Sequence, residues 1–208
     1  MNYLKLFENF KNETLIIVDV QKSFKEFFTE MYLNELKKYC ENFSDVYQLW
    51  DNHINGKNVD KDYLFDNNPD IPVHNDLYNF PNQKGIIEKR YNYDVDADFY
   101  KKILDKETYD LLKSKEESGS LKRGDLFKTK EDTAIVYIGN NHQWFQVPKK
   151  LFNLFQQLKG KEVTIVGGAD SECLSDVLTA AESLGVKIKR NWRYIYTASN
   201  CPDNFPQD

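Results

Sequence analysis

Two short runs of the chain are apolar at nearly every position: TLIIVDV (Thr14–Val20) and VTIVGG (Val163–Gly168). A strand covered on one face alternates apolar and polar residues, whereas one covered on both faces reads as a continuous apolar run. Both runs therefore predict strands inside a sheet with layers on either side. VYQLWD (Val46–Asp51) and GIIEK (Gly85–Lys89) predict weaker strands, and the alternation opening VKIKRNWRYIYTA (Val186–Ala198) predicts the last one. Helical periodicity fills the intervals. Residues 29–43 place Met31, Leu33, Leu36, Tyr39, Cys40 and Phe43 on one face, and residues 96–117 do the same with Phe99, Ile103, Leu104, Tyr109, Leu111 and Leu112. A third helix starts with Pro148 near its first turn and ends at Gly160, and a fourth spans Ser171–Leu184. Strands alternating with helices predict an α/β fold, three-layered α/β/α with a mainly parallel sheet.

One stretch breaks the alternation. Gly119–Val147 has turn residues between β-like pieces, AIVYIG the clearest, and reads as a β-hairpin or flap inserted between a helix pair. No repeat, low-complexity tract or linker marks a second domain. The expectation is one domain over residues 1–208 with an insertion at about 94–147.

Open α/β sheets bind ligands at the carboxyl ends of their strands. Asp19 ends the first strand, Asp51 and His53 the second, and Lys89 the third, while Cys173 follows VTIVGG and opens a helix. A nucleophile, a cation and several acids thus converge by topology. A cysteine near a helix N-terminus is pushed toward thiolate by the helix dipole and nearby amides, and a neighbouring lysine pushes the same way. The competing reading of Cys173 is a small buried apolar residue; position alone does not separate the two. Cys40 lies on an apolar helix face and reads as core, and Cys201, in a polar tail, as incidental.

Three separated pieces carry a resemblance. LIIVDVQKSF (Leu15–Phe24), GIIEKRYNY (Gly85–Tyr93) and VTIVGGADSECLSDVLTAAESLG (Val163–Gly185) resemble, in order, the first strand, the lysine strand and the nucleophile helix of the isochorismatase-like cysteine hydrolase superfamily, which includes nicotinamidases. The resemblance implies a triad of Asp19, Lys89 and Cys173. It also implies a cis peptide at Gly168–Ala169 and an oxyanion hole from the amides of Ala169 and Cys173. Cysteine hydrolysis of a small carboxamide is then the expected activity, with Phe24 and Trp144 as candidate substrate contacts. Asp170 stands where the family often has threonine, and with Glu172 it would oppose an anionic thiol or substrate.

Nicotinamidases pair an Asp-x-His after the second strand with a later histidine. Asp51, His53 and His74 match that set, and one carboxylate with two imidazoles suits zinc or iron. Against it, the His74 stretch also matches a non-ligand segment of the family. No cofactor is therefore assigned with certainty, and an isochorismatase-type reaction without metal stays open. So does a catalytically silent binding member. His142 lies beside Trp144 and Phe145, aromatics that could wall a flat ring, although packing in a core is their commoner role.

Composition changes this picture little. The formal charge is −5, and Lys and Arg alternate with Asp and Glu, so a nucleic-acid partner is not expected. No run is long enough to span a membrane, and the first residues lack a signal peptide's apolar stretch, so the expected compartment is cytoplasmic. Three widely spaced cysteines without CxxC give no disulfide framework. The expected partner is a small-molecule substrate, with a homo-oligomer formed through the 119–147 hairpin as a further expectation.

Overall fold

The computed structural model describes residues 13–51, 77–92, 97–131, 133–139 and 144–197. Among the described residues eight strands form one sheet: β1 Thr14–Val18, β2 Asp45–Asp51, β3 Gln83–Asn92, β4 Leu126–Lys128, β5 Ala134–Tyr137, β6 Trp144–Val147, β7 Glu162–Gly167 and β8 Lys187–Ile195. Their order is β4-β5-β6-β3-β2-β1-β7-β8. The five strands from β3 to β8 run parallel, and β6, β5 and β4 continue the sheet antiparallel. Helices are α1 Glu30–Cys40, α2 Ala97–Ile103, α3 Lys106–Glu117, α4 Lys149–Leu158 and α5 Ser175–Ser183.

The continuous apolar runs are explained by what covers them. In β1, Leu15 and Ile17 join Tyr32, Leu36 and Cys40 of α1, while Ile16 and Val18 join Leu151 and Phe155 of α4 and Val177 of α5. Each strand residue thus serves one of two cores, as its alternating direction requires. The chain is an α/β fold with a five-stranded parallel sheet flanked by helices on both faces.

Three expectations are corrected. The 119–147 segment is not a flap. Its strands extend the main sheet, with Arg90, Tyr91 and Asn92 of β3 paired to Gln146, Phe145 and Trp144. Residues 97–117 form two helices rather than one, because Asp105 caps a new one by accepting from the Thr108 amide; the new helix turns Leu111 outward at 53% exposure. In α1, Met31 is exposed at 56% and Tyr32 takes the buried position, where its hydroxyl donates to the Tyr194 carbonyl at 2.9 Å. A phenol can be buried when its oxygen finds such an acceptor.

The connections out of β1 lead to β2 on one side, and the chain later returns at β7 on the other. The carboxyl ends of β1 and β7 therefore flank a topological switch point, where a crevice opens in folds of this kind.

Candidate active site

Asp19 follows β1 at this switch point. Its φ of +53° is a left-handed backbone that aspartate tolerates better than most residues. The conformation is held from three sides. The Asp19 amide donates to the Leu49 carbonyl at 2.9 Å, the Gly168 amide donates to the Val18 carbonyl at 3.0 Å, and the Tyr196 hydroxyl donates to the Asp19 carbonyl at 2.7 Å.

Lys89 arrives from two strands away. It lies two residues beyond Ile87 and so shares the sheet face that α4 and α5 cover. Its ammonium lies 2.9 Å from an Asp19 carboxylate oxygen, with the two side chains only 0% and 2% exposed. A lysine that deep in an apolar layer is tolerated only with its charge paired. The sequence places Lys89 at a strand end; the fold makes it an interior cation.

Cys173 lies in an irregular turn, Asp170–Leu174, between β7 and α5. Glu172 breaks the helical path there, with φ −123° and ψ −111°. The amides of Glu172 and Leu174 both donate to the Ala169 carbonyl at 3.1 Å, which closes the turn. The Gly168–Ala169 peptide is cis. Cys173 is half-buried and packs against the α4/α5 core rather than being sealed inside it, whereas Cys40 is fully buried. Burial pushes the Cys40 thiol up to about 12.

The two glycines before the turn answer to close packing. A Cβ on Gly167 would stand 2.0 Å from the Val18 carbonyl oxygen, and Gly167 has φ +102°. A Cβ on Gly168 would stand 2.4 Å from the Tyr196 ring. Tyr196 thus links the pieces: its ring covers Gly168, its hydroxyl holds Asp19, and its carbonyl accepts from the Asp170 amide at 3.0 Å. Its phenol is pushed well above the usual tyrosine range, first by burial and then by the negative charge of Asp19, with Tyr32 and Cys173 adding and Lys89 opposing. One phenol feels all three candidate residues. No motif singles out Tyr196; its place at the end of the last parallel strand is the signal that could have found it.

The other expected site residues are placed as follows. Phe24 is half-buried in a 3-10 turn, Lys22–Phe27, with its ring 6.1 Å from Phe27, which stacks on Tyr196 at 6.3 Å. Trp144 is 2% exposed and packs on Tyr100, Phe127 and Tyr137, so it is core of the α2/α3 layer rather than a wall beside Cys173. A cavity of about 300 Å³ borders it, lined by Glu116, Gly119, Leu121 and Tyr137, none of them in the Asp19–Lys89–Cys173 group. Asp51 ends β2 level with Lys89. His53, His74, His142 and Cys201 lie outside the described residues. Among the described residues no group of three or more His, Cys, Asp and Glu side chains is arranged to hold a metal ion. Asp170, the departure noted in the turn, has an Arg190 guanidinium nitrogen 3.7 Å away, which offsets part of its charge.

Among known proteins, the chain matches no family model, no curated protein and no solved structure.

Proposed function

We propose that this chain is a cysteine hydrolase of the isochorismatase-like type, cleaving the C–N bond of a small carboxamide. The observation that carries the reading is the buried Lys89–Asp19 pair, at 2.9 Å, at the carboxyl edge of the sheet from which β7 leads into the Cys173 turn ahead of α5. Burying such a pair returns little net stability, because desolvating both ions offsets much of their attraction, and that supports a functional role for it at this edge.

The chemistry divides among three groups. Asp19 takes the Cys173 proton, and Lys89 holds the carboxylate in place. The sulfur attacks the carbonyl carbon, a C–S bond forms, and the oxyanion is met by the amides of Ala169 and Cys173. The C–N bond then breaks as Asp19 returns its proton to the departing nitrogen, which leaves as ammonia. Water, deprotonated by Asp19, attacks the thioester and releases the acid and the thiol. A metal ion, if held by Asp51 with His53 and His74, would supply a Lewis acid for a substrate atom; metal content of the purified protein separates that branch from an isochorismatase-type reaction.

An ammonia-release screen over small carboxamides tests the reading. The wild type is expected to release ammonia from at least one, and Cys173→Ala from none. Equal release by both would refute it. A second reading, a silent binding member, is favoured by the two carboxylates, Asp170 and Glu172, within the Cys173 turn. It predicts that Cys173 alkylates with iodoacetamide as slowly as Cys40, whereas a hydrolase needs Cys173 to react far faster.

A further inference from the structure

We propose that Arg123, contributed by the segment before β4, is a positioning residue that fixes the Cys173 thiol by clamping the first turns of α5. The inference rests on the reading of Cys173 as the nucleophile. It concerns a residue from the segment that the resemblance leaves out.

The turn holding Cys173 lacks a regular hydrogen-bond ladder on its N-terminal side, and α5 starts at Ser175 behind an N-cap, Leu174, that offers no side-chain hydrogen bond. The turn is tied back to Ala169 and Tyr196 on its N-terminal side, and on its C-terminal side it runs directly into residues 175 and 176, whose placement bears on the Cys173 backbone. Arg123 does so with its whole fork. One terminal nitrogen donates to Ser175 Oγ at 3.1 Å and to Asp176 Oδ1 at 2.9 Å, the other donates to the Ile138 carbonyl at 2.9 Å, and Nε donates to Thr179 Oγ1 at 3.1 Å. Three of the four bonds reach α5, and the fourth ties the guanidinium to the residue after β5. The Asp176 side chain is only 5% exposed, and its bond to Arg123 is a charge-assisted one.

The choice of residue is informative. A cation near a helix N-terminus is opposed by the helix dipole, so an arginine placed there for bulk stability would be a poor choice. Asp176, in the first turn, supplies the compensating charge. Only a rigid planar fork can reach Ser175, Asp176, Thr179 and a carbonyl at once; a lysine presents a single point charge. The same segment has a second tie to α5, from Ser183 Oγ to the Gly124 carbonyl at 2.9 Å, but two turns further from Cys173. This provides an internal control: both ties dock the segment, and of the two only Arg123 bonds the residues that directly follow the Cys173 turn.

The test compares wild type, Arg123→Met, Arg123→Lys and Ser183→Ala in the full chain. Iodoacetamide alkylation of Cys173 is followed by peptide mass spectrometry, with melting temperature measured alongside. Arg123→Met is expected to change the Cys173 alkylation rate at least about tenfold, Arg123→Lys to restore part of it, and Ser183→Ala to stay within about twofold of wild type at a similar melting temperature. An Arg123→Met rate within twofold of wild type overturns the proposal. So does an equal change in Ser183→Ala, which would reduce Arg123 to a general docking contact. Because the readout is the thiol and not turnover, a chain that shows the Arg123 effect but releases no ammonia from any carboxamide sinks the hydrolase reading and leaves the positioning role standing.

Discussion

Replacing Lys89 with methionine keeps most of the side-chain volume and removes the charge. In the folded protein the two partners are 2.9 Å apart with side-chain exposures of 0% and 2%, so water cannot take over the ammonium's role toward Asp19. Breaking a buried pair from one side typically costs about 3–5 kcal/mol, because the other ion stays in a medium that solvates it poorly. For a chain of this size each kcal/mol lowers the melting temperature by about 2–4 °C. Lys89→Met is thus expected to lower it by about 6–20 °C, read by circular dichroism or calorimetry. The double variant Asp19→Asn/Lys89→Met leaves no uncompensated charge and is expected to recover much of the loss, a coupling of several kcal/mol in a double-mutant cycle. Both variants should be inactive, so stability and activity separate. A Lys89→Met protein within about 1 kcal/mol of wild type would refute the argument, since it would mean that the pair is solvated and the interior cation is not held by the fold.

Further outcomes follow from the same geometry. Gly167→Ala drives a methyl group to within 2.0 Å of the Val18 carbonyl oxygen in the centre of the sheet; it is expected to cost more than about 4 kcal/mol or to prevent folding, and a urea midpoint near wild type would contradict that. Tyr196→Phe removes a buried 2.7 Å bond to the Asp19 carbonyl and is expected to cost about 1–3 kcal/mol together with a fall in kcat, with unchanged stability the contrary result. The Cys40 thiol, raised from an ordinary value of 9.0 to about 12, is only about one part in 10⁴ thiolate at pH 8, so native Cys40 should resist iodoacetamide until urea unfolds the chain. Cys40 and Tyr196 both hold their protons more tightly in the folded state. Their contribution to stability is full below about pH 9 and is lost as pH rises toward 12; a urea midpoint flat from pH 8 to 11 would count against it.

Local chemistry made much of this protein readable before folding was considered. The unbroken apolar runs of β1 and β7 state that both faces are covered, and alternating helices then imply a parallel sheet. The order Asp19, Lys89, Cys173 could be read because Asp19 and Cys173 follow parallel strands whose ends lie on one edge; Lys89 reads as a strand end, whereas β3 runs on to Asn92 and Lys89 sits level with Asp51, the last residue of β2. Other features could not be read, because they depend on which strands become neighbours. The Gly119–Val147 segment reads as a hairpin or flap, but whether it folds outward or joins the sheet depends on β6 finding the free edge of β3. Trp144 looks like a ring for a ligand until Tyr100 of α2, Phe127 of β4 and Tyr137 of β5 close around it. Tyr196 and Arg123 carry no motif at all. Their importance comes from a hydroxyl meeting Asp19 177 positions away and a guanidinium meeting Asp176 53 positions away. Periodicity and side-chain type are properties of a segment, and the chain states them openly. Charge compensation and close approach are properties of pairs brought together by the fold, and neither member of such a pair shows it alone.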